Sequence, residues 1–91
     1  MQVEWSKLAR ADAEAIRTYL LDRNPYAAKR ILLRLIDATK DLAMFPSIGR
    51  IGLDGTREWI VAQPYVLLYE VDEMAEIVKI LRVWHSAQDR S

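Results

Sequence analysis

Polar and apolar residues alternate over Gln2–Trp5, "QVEW", which predicts one short strand. The period then changes. From Lys7 to Arg23 apolar residues recur at Leu8, Ala11, Ala15, Ile16, Tyr19 and Leu20, with Arg10, Glu14 and Arg17 on the other side. That spacing predicts an amphipathic helix. Ser6, just before it, offers a side-chain oxygen to the unpaired amides of the first turn. "DRNPYAAK" breaks the pattern. Pro25 suits a first helical turn, where its missing N–H would find no partner anyway, and Asn24 is a natural cap in front of it. A second helix is expected to about Met44, with Ala28, Ile31, Leu32, Leu35, Thr39, Leu42 and Ala43 as its apolar stripe. The link of about two residues predicts an antiparallel helix hairpin.

"FPSIGRIGLDGT" holds a proline and all three glycines and has no helical period. It reads as a loop of about ten residues. The rest is strand-like. "REWIV" is one segment. "PYVLLYEV" is the second, with Pro64 at its start, where a missing N–H is tolerated. "IVKILRVW" is the third, after the acidic turn "DEMAE". Val, Ile, Leu, Tyr and Trp dominate these segments, as strand interiors prefer. The predicted fold is α+β in the order β-α-α-β-β-β. Its last three strands form an antiparallel meander, and one face of the sheet covers the helix hairpin. The other face, the tail and the glycine loop are left for function.

Composition narrows the function classes. A chain of 91 residues is expected to be one domain, spanning 1–91. Thirteen Lys and Arg balance 13 Asp and Glu. Zero net charge argues against a dedicated nucleic-acid binder, whose affinity comes largely from phosphate contacts, though it leaves room for a local basic patch. There is no cysteine and one histidine, which disfavours a structural zinc site and suits a reducing compartment. The start "MQVEWSKLAR" lacks the apolar run of a signal peptide. No stretch approaches the ~18 apolar residues of a membrane span. A cytoplasmic protein is expected, with no metal, no small-molecule cofactor and no membrane partner. "IGRIGLDG" has spaced glycines, but no strand runs into it and no helix opens after it, so it is a poor phosphate loop.

The opening "VEWSKLARADAEAI", the Asn24-Pro25 break, the Gly49-Arg50 loop and the closing "LRVWHSAQD" together resemble the RelE/ParE superfamily of toxins from bacterial type II toxin–antitoxin systems. The resemblance spans nearly the whole chain. It implies a helix hairpin on a twisted, mainly antiparallel sheet, and a cognate antitoxin that wraps the toxin with a C-terminal segment. It also implies one of two toxic actions. RelE-like members cut mRNA in the ribosomal A site, whereas ParE-like members poison DNA gyrase. Fold alone does not choose between them.

RNA cleavage requires a proton acceptor, a proton donor and positive charge on the phosphate. Histidine is the side chain best suited to proton transfer near neutral pH, which makes His85 a candidate, and some ribonucleases of the superfamily carry a histidine near the last strand. Its plainer reading is the end of a strand in contact with Trp84 or the tail. ParE-like members show a similar ending. Arg57 matches a basic position of RelE-like enzymes. Two residues on, however, stands Trp59, where RelE is basic, and Val66 stands where RelE has an arginine on the cleaved phosphate. These departures favour the ParE-like action. Arg82 alternates with Val78, Ile80 and Trp84. It could grip phosphate, gyrase or antitoxin, or form a cross-strand salt bridge to Glu58 or Glu70. Arg50 lies between two glycines, able to approach a partner or to tie the loop to a helix end.

His85, Arg82 and Arg57 are therefore the catalytic candidates if the chain is a nuclease. Arg50, Arg57, Trp59, Tyr65, Arg82, Trp84 and Arg90 are the candidates for target or antitoxin binding. Tyr65 and Tyr69 share a strand face with Leu67 and Val71, which favours core or partner contact. Trp5, Trp59 and Trp84 are expected to cover the hairpin or to anchor an antitoxin. Arg23, Lys29, Arg30 and Arg34 read as a solvated helix face, or one that meets an acidic antitoxin. The favoured function is a growth-inhibiting toxin acting on gyrase. The alternatives are a ribosome-dependent mRNA endoribonuclease and a non-toxic antitoxin-binding module.

Overall fold

A computed structural model describes residues 1–52 and 54–86. The elements are β1 (Gln2–Trp5), α1 (Lys7–Arg23), α2 (Pro25–Met44), β2 (Arg50–Ile51), β3 (Arg57–Ala62), β4 (Tyr65–Asp72) and β5 (Ile77–His85). The caps fall where the sequence puts them. The Ala9 N–H donates to Ser6 Oγ at 3.0 Å, and the Ala27 N–H donates to Asn24 Oδ1 at 3.1 Å. Asn24 is the whole link between the helices, shorter than the expected pair of residues. The expected glycine loop also contains a two-residue strand, β2, which pairs Arg50 with Glu58 and Ile51 with Arg57.

The sheet order is β1-β5-β4-β3-β2. β2 to β5 form the antiparallel meander, while β1 lies parallel to β5, from Gln2 beside Ile77 to Trp5 beside Ile80. Ser6 locks this junction. Its N–H donates to the Ile80 carbonyl at 2.9 Å and its hydroxyl to the Leu81 carbonyl at 2.9 Å. Ser6 thus caps a helix and ends a strand pair at once. Ser6→Ala is expected to cost about 1.5 kcal/mol in urea unfolding, near the upper range for a cap alone. A cost under about 0.5 kcal/mol would show that water replaces both contacts.

The core lies between the hairpin and one face of the sheet. Leu42, Leu67, Tyr69, Val78 and Ile80 are fully buried there. From α2 come Ala28, Ile31, Leu35, Ala38 and Leu42, close to the predicted stripe. The α1 stripe requires a correction. Leu8 and Tyr19 are exposed, and so are Ala11 and Ala15. The inward residues are Ala9, Asp12, Ala13, Ile16 and Leu20. These also keep helical spacing, but with an aspartate in the middle of the stripe.

Two bulges shape the sheet. In β3 the pairs Ile60–Val66 and Ala62–Tyr65 leave Val61 extra, and Arg34 of α2 donates through Nε and Nη2 to the Val61 carbonyl at 3.2 and 3.0 Å. Arg34 is therefore a tie between helix and sheet as well as an exposed residue of the helix face. In β5 the pairs Leu68–Arg82 and Tyr69–Ile80 leave Leu81 extra. Partners share a face, so this bulge turns Arg82 and Trp84 away from the side that carries Val78 and Ile80. The expected alternation of Arg82 with those two residues is thereby overturned.

Candidate functional site

The open face of the sheet, away from the helices, is fixed by this register. One row across it reads Arg50, Glu58, Leu68, Arg82 and the next reads Ile60, Val66, Trp84. The first row carries an arginine near each edge, and the second is apolar throughout. Neither arginine bonds as expected. Arg50 does not reach a helix end. Its Nη2 lies 3.7 Å from Glu58, and its side chain is 85% exposed. Arg82 does not pair with Glu58 or Glu70. It crosses the sheet edge to Asp12 of α1, with Nε on Oδ2 at 2.7 Å and Nη2 on Oδ1 at 3.0 Å.

Asp12 also accepts the Val83 N–H at 2.9 Å. β1 stops opposite Ile80, so β5 runs on past it, and Asp12 supplies an acceptor that no strand provides there. The hydrogen bonds to Asp12 raise the Arg82 pKa further above its ordinary value, so the cation is permanent. Its guanidinium stands 5.7 Å from the centre of the Trp84 ring, within cation–π range. Asp12, Arg82 and Trp84 form one chain of contacts from helix to open face.

Arg57 and Trp59 lie on the helix side, opposite Tyr69 and Leu67. The Arg57 Nη1 donates to the Gly49 carbonyl at 2.8 Å and to the Ser47 carbonyl at 3.4 Å. Tyr69 holds the same segment from beneath. Its hydroxyl donates to the Pro46 carbonyl at 2.8 Å and accepts the Gly49 N–H at 2.8 Å. Gly49 is buried against that ring, with no room for a side chain. The reading of Tyr69 as a core residue holds, but its hydroxyl also pins the loop.

His85 sits at the far end of the helix side. It pairs with Tyr65, and the two rings meet edge to face with centroids 5.5 Å apart. Both line a cavity of about 540 Å³ between the hairpin and the sheet end, with Tyr19, Arg30 and Pro64. Burial raises the Tyr65 pKa, helped by Tyr19. Burial also raises the Tyr69 pKa, against the Gly49 hydrogen bond and the Arg57 charge. Each folded phenol keeps a proton that the unfolded chain releases near pH 10. Stability is therefore full below about pH 10 and falls as pH rises through the folded pKa values. Urea midpoints taken across this range should drop, and Tyr69→Phe should drop less steeply above about pH 10 than the unaltered chain.

Arg57, Arg82 and His85 thus occupy three places. Arg57 and His85 face the helix side, roughly 13 Å apart along the strands by the pairing of Tyr69 and Tyr65. Arg82 lies over the edge on Asp12. Arg90 falls outside the described residues. Trp5 and Trp59 pack on the core, and Trp5 Nε1 donates to Thr39 Oγ1 at 3.3 Å. Among the described residues no three His, Asp or Glu side chains gather to hold a metal ion. Also among them, no helix is long and apolar enough to cross a membrane.

Residues 3–90 match the family described as the ParE toxin of the type II toxin–antitoxin system parDE. The chain belongs to this toxin family. The toxin is 41% identical over 87 residues to "Toxin RelE2" of Caulobacter vibrioides, across 96% of this chain and 97% of that protein. It is 35% identical over 91 residues to "Toxin RelE3" of the same organism, across 97% of each. Its fold resembles that of a chain in the chromosomal ParDE system from P. aeruginosa, with a TM-score of 0.74, 23% identity and coverage of 93% and 95%. It also resembles a chain of the toxin–antitoxin complex RelBE2 from Mycobacterium tuberculosis, with a TM-score of 0.70, 28% identity and coverage of 92% and 95%. The toxin is a member of the RelE/ParE superfamily of type II toxin–antitoxin systems.

Asp12 was missed by the sequence reading. Its signal was there, since a stripe through Ala9, Asp12, Ala13, Ile16 and Leu20 fits a helix face better than one through the exposed Leu8 and Tyr19.

Proposed function

We propose that this toxin acts in the cytoplasm by docking on a protein target, DNA gyrase, and that a cognate antitoxin neutralises it. The observation that supports this most is the separation of Arg57, Arg82 and His85. Cleavage of a phosphodiester requires a base, an acid and a cation around one phosphate, each within hydrogen-bond reach of the atoms it serves. Here two of the three candidates face the helices from different strands, about 13 Å apart along them, and the third is held by a carboxylate. At Val66, where RelE-like enzymes place a phosphate-binding arginine, the open face carries the apolar row Ile60–Val66–Trp84. Apolar and aromatic groups suit a protein partner better than a phosphate chain.

The antitoxin rests on the family and on the two toxin–antitoxin systems that the fold resembles. The RelE names of the Caulobacter relatives favour ribosome-dependent mRNA cleavage as the second reading.

The test is induction of the toxin without antitoxin, with gyrase supercoiling, DNA cleavage and mRNA integrity on ribosomes followed together. The expected result is impaired gyrase with intact mRNA, and growth arrest that survives His85→Gln. Cuts at codon positions with unaffected gyrase would overturn the gyrase reading. Normal growth on induction would instead fit a non-toxic antitoxin-binding module.

A further inference from the structure

The segment from Phe45 to Ile51 leads from the end of α2 to the outer edge of the sheet. Tyr69 and Arg57 hold its backbone through the carbonyls of Pro46, Ser47 and Gly49 and the Gly49 N–H. It is a fixed lip. Its outward side is apolar, with Phe45 59% and Ile48 45% exposed. Ile48 also walls a hollow of about 430 Å³, lined by Trp59, Ile60 and Val66 and rimmed by Arg50 and Glu58.

The polar residues around this hollow are Arg50, Glu58 and the exposed Ser86, and the Arg50 side chain is 85% exposed. Its contact to Glu58, at 3.7 Å, is longer than a hydrogen bond. Its planar fork of donors therefore remains geometrically suited to a carboxylate. A phosphate chain would ask for several cations, whereas among the described residues around the hollow one arginine stands beside a glutamate. Beside it runs β2, two residues long, both exposed, at the outer edge of the sheet. A narrow hollow beside a short edge suits an extended segment.

We propose that this hollow receives a carboxylate-bearing, otherwise apolar, extended segment of the cognate antitoxin. Arg50 grips the carboxylate, and Ile48 and Ile60 take the apolar side chains. Tyr69 is a positioning residue, which acts through the lip and touches no partner atom. This rests on reading the chain as a toxin with an antitoxin.

The experiment titrates the purified toxin with the small protein encoded beside it, at low and high salt. Arg50→Glu is expected to weaken binding about 30-fold or more at low salt, and less at high salt, where the contact is screened. Ile60→Asp should weaken it similarly. Tyr69→Phe, checked for folding by circular dichroism, should weaken it about tenfold. The double variant Tyr69→Phe/Arg50→Glu should lose less than the sum of the two single losses, because Tyr69 acts in part through the Arg50 contact. A merely structural Tyr69 would give additive losses instead.

Wild-type affinity retained by Arg50→Glu overturns the proposal and leaves the antitoxin reading standing. Failure of the unaltered toxin to bind its neighbour overturns both. Growth inhibition lost in Arg50→Glu with antitoxin affinity intact assigns the hollow to the target, and also overturns the proposal.

Discussion

Gly49→Ala is expected to destabilise the toxin by about 3 kcal/mol, through overpacking and disturbed hydrogen bonds. A Cβ on Gly49 would lie 2.7 Å from the Tyr69 hydroxyl oxygen, 2.8 Å from a carbon of its ring and 3.0 Å from the Glu58 carbonyl oxygen. None of these can yield cheaply. The Tyr69 side chain is fully buried, so its ring cannot swing away without displacing neighbours. The Glu58 carbonyl belongs to β3. Moving the lip instead would stretch the Gly49 N–H bond to Tyr69 and the Arg57 bonds to Ser47 and Gly49. Urea unfolding of the purified variant measures the loss. Adding Tyr69→Phe removes the nearest oxygen but leaves the ring carbon at 2.8 Å and breaks both hydrogen bonds of the hydroxyl, so it should not restore stability. A loss under about 1 kcal/mol for Gly49→Ala alone would mean that the lip is more pliable than its ties suggest.

Asp12→Ala is the second large effect, with an expected loss of about 2 kcal/mol. The carboxylate serves two clients. It neutralises Arg82, and it accepts an edge amide of β5 at Val83. The ion pair is partly exposed, with side-chain exposures of 36% for Arg82 and 17% for Asp12, so solvent screens its Coulomb share. The amide is the costlier orphan, because no strand lies beside it. Arg82→Ala leaves Asp12 on the Val83 amide and should cost only about 1 kcal/mol. Asp12→Asn keeps an acceptor for the amide but turns a second donor towards the guanidinium, so its cost should fall between the two. Equal losses for Asp12→Ala and Arg82→Ala would show that the amide contributes nothing. In Asp12→Ala the Arg82 guanidinium is also released from its place over Trp84, and the near-ultraviolet dichroism of that ring should change with it.

Much of the fold was legible, and the exceptions share a cause. The caps Ser6 and Asn24 and the proline at the start of α2 are local signals, and all three work as read. The strands followed from their apolar content. The face of α1 did not, because its inward stripe is not apolar throughout and has at its centre an aspartate used by the sheet edge. Arg82 was misplaced because a bulge at Leu81 shifts everything beyond it by one face, and no residue type announces a bulge there. β2 was read as loop because two residues are too few to show a period. Among the candidates, the separation of His85 from Arg57 depends on which positions of β3 and β5 meet Tyr69 and Tyr65. Register of that kind arises from pairing across the sheet, not from spacing along the chain.

The parallel pairing of β1 with β5 has a consequence for when this molecule can fold. β1 is made first, yet its only strand neighbour is Ile77–Ile80. Until the ribosome has passed that point, β1 has nothing to pair with, Asp12 has no edge to cap, and the hairpin has no complete sheet to cover. Such distant contacts are slow to form and cannot begin early in synthesis. The sheet therefore closes only at the end of synthesis, and β1, the hairpin and the last strand reach their final packing together.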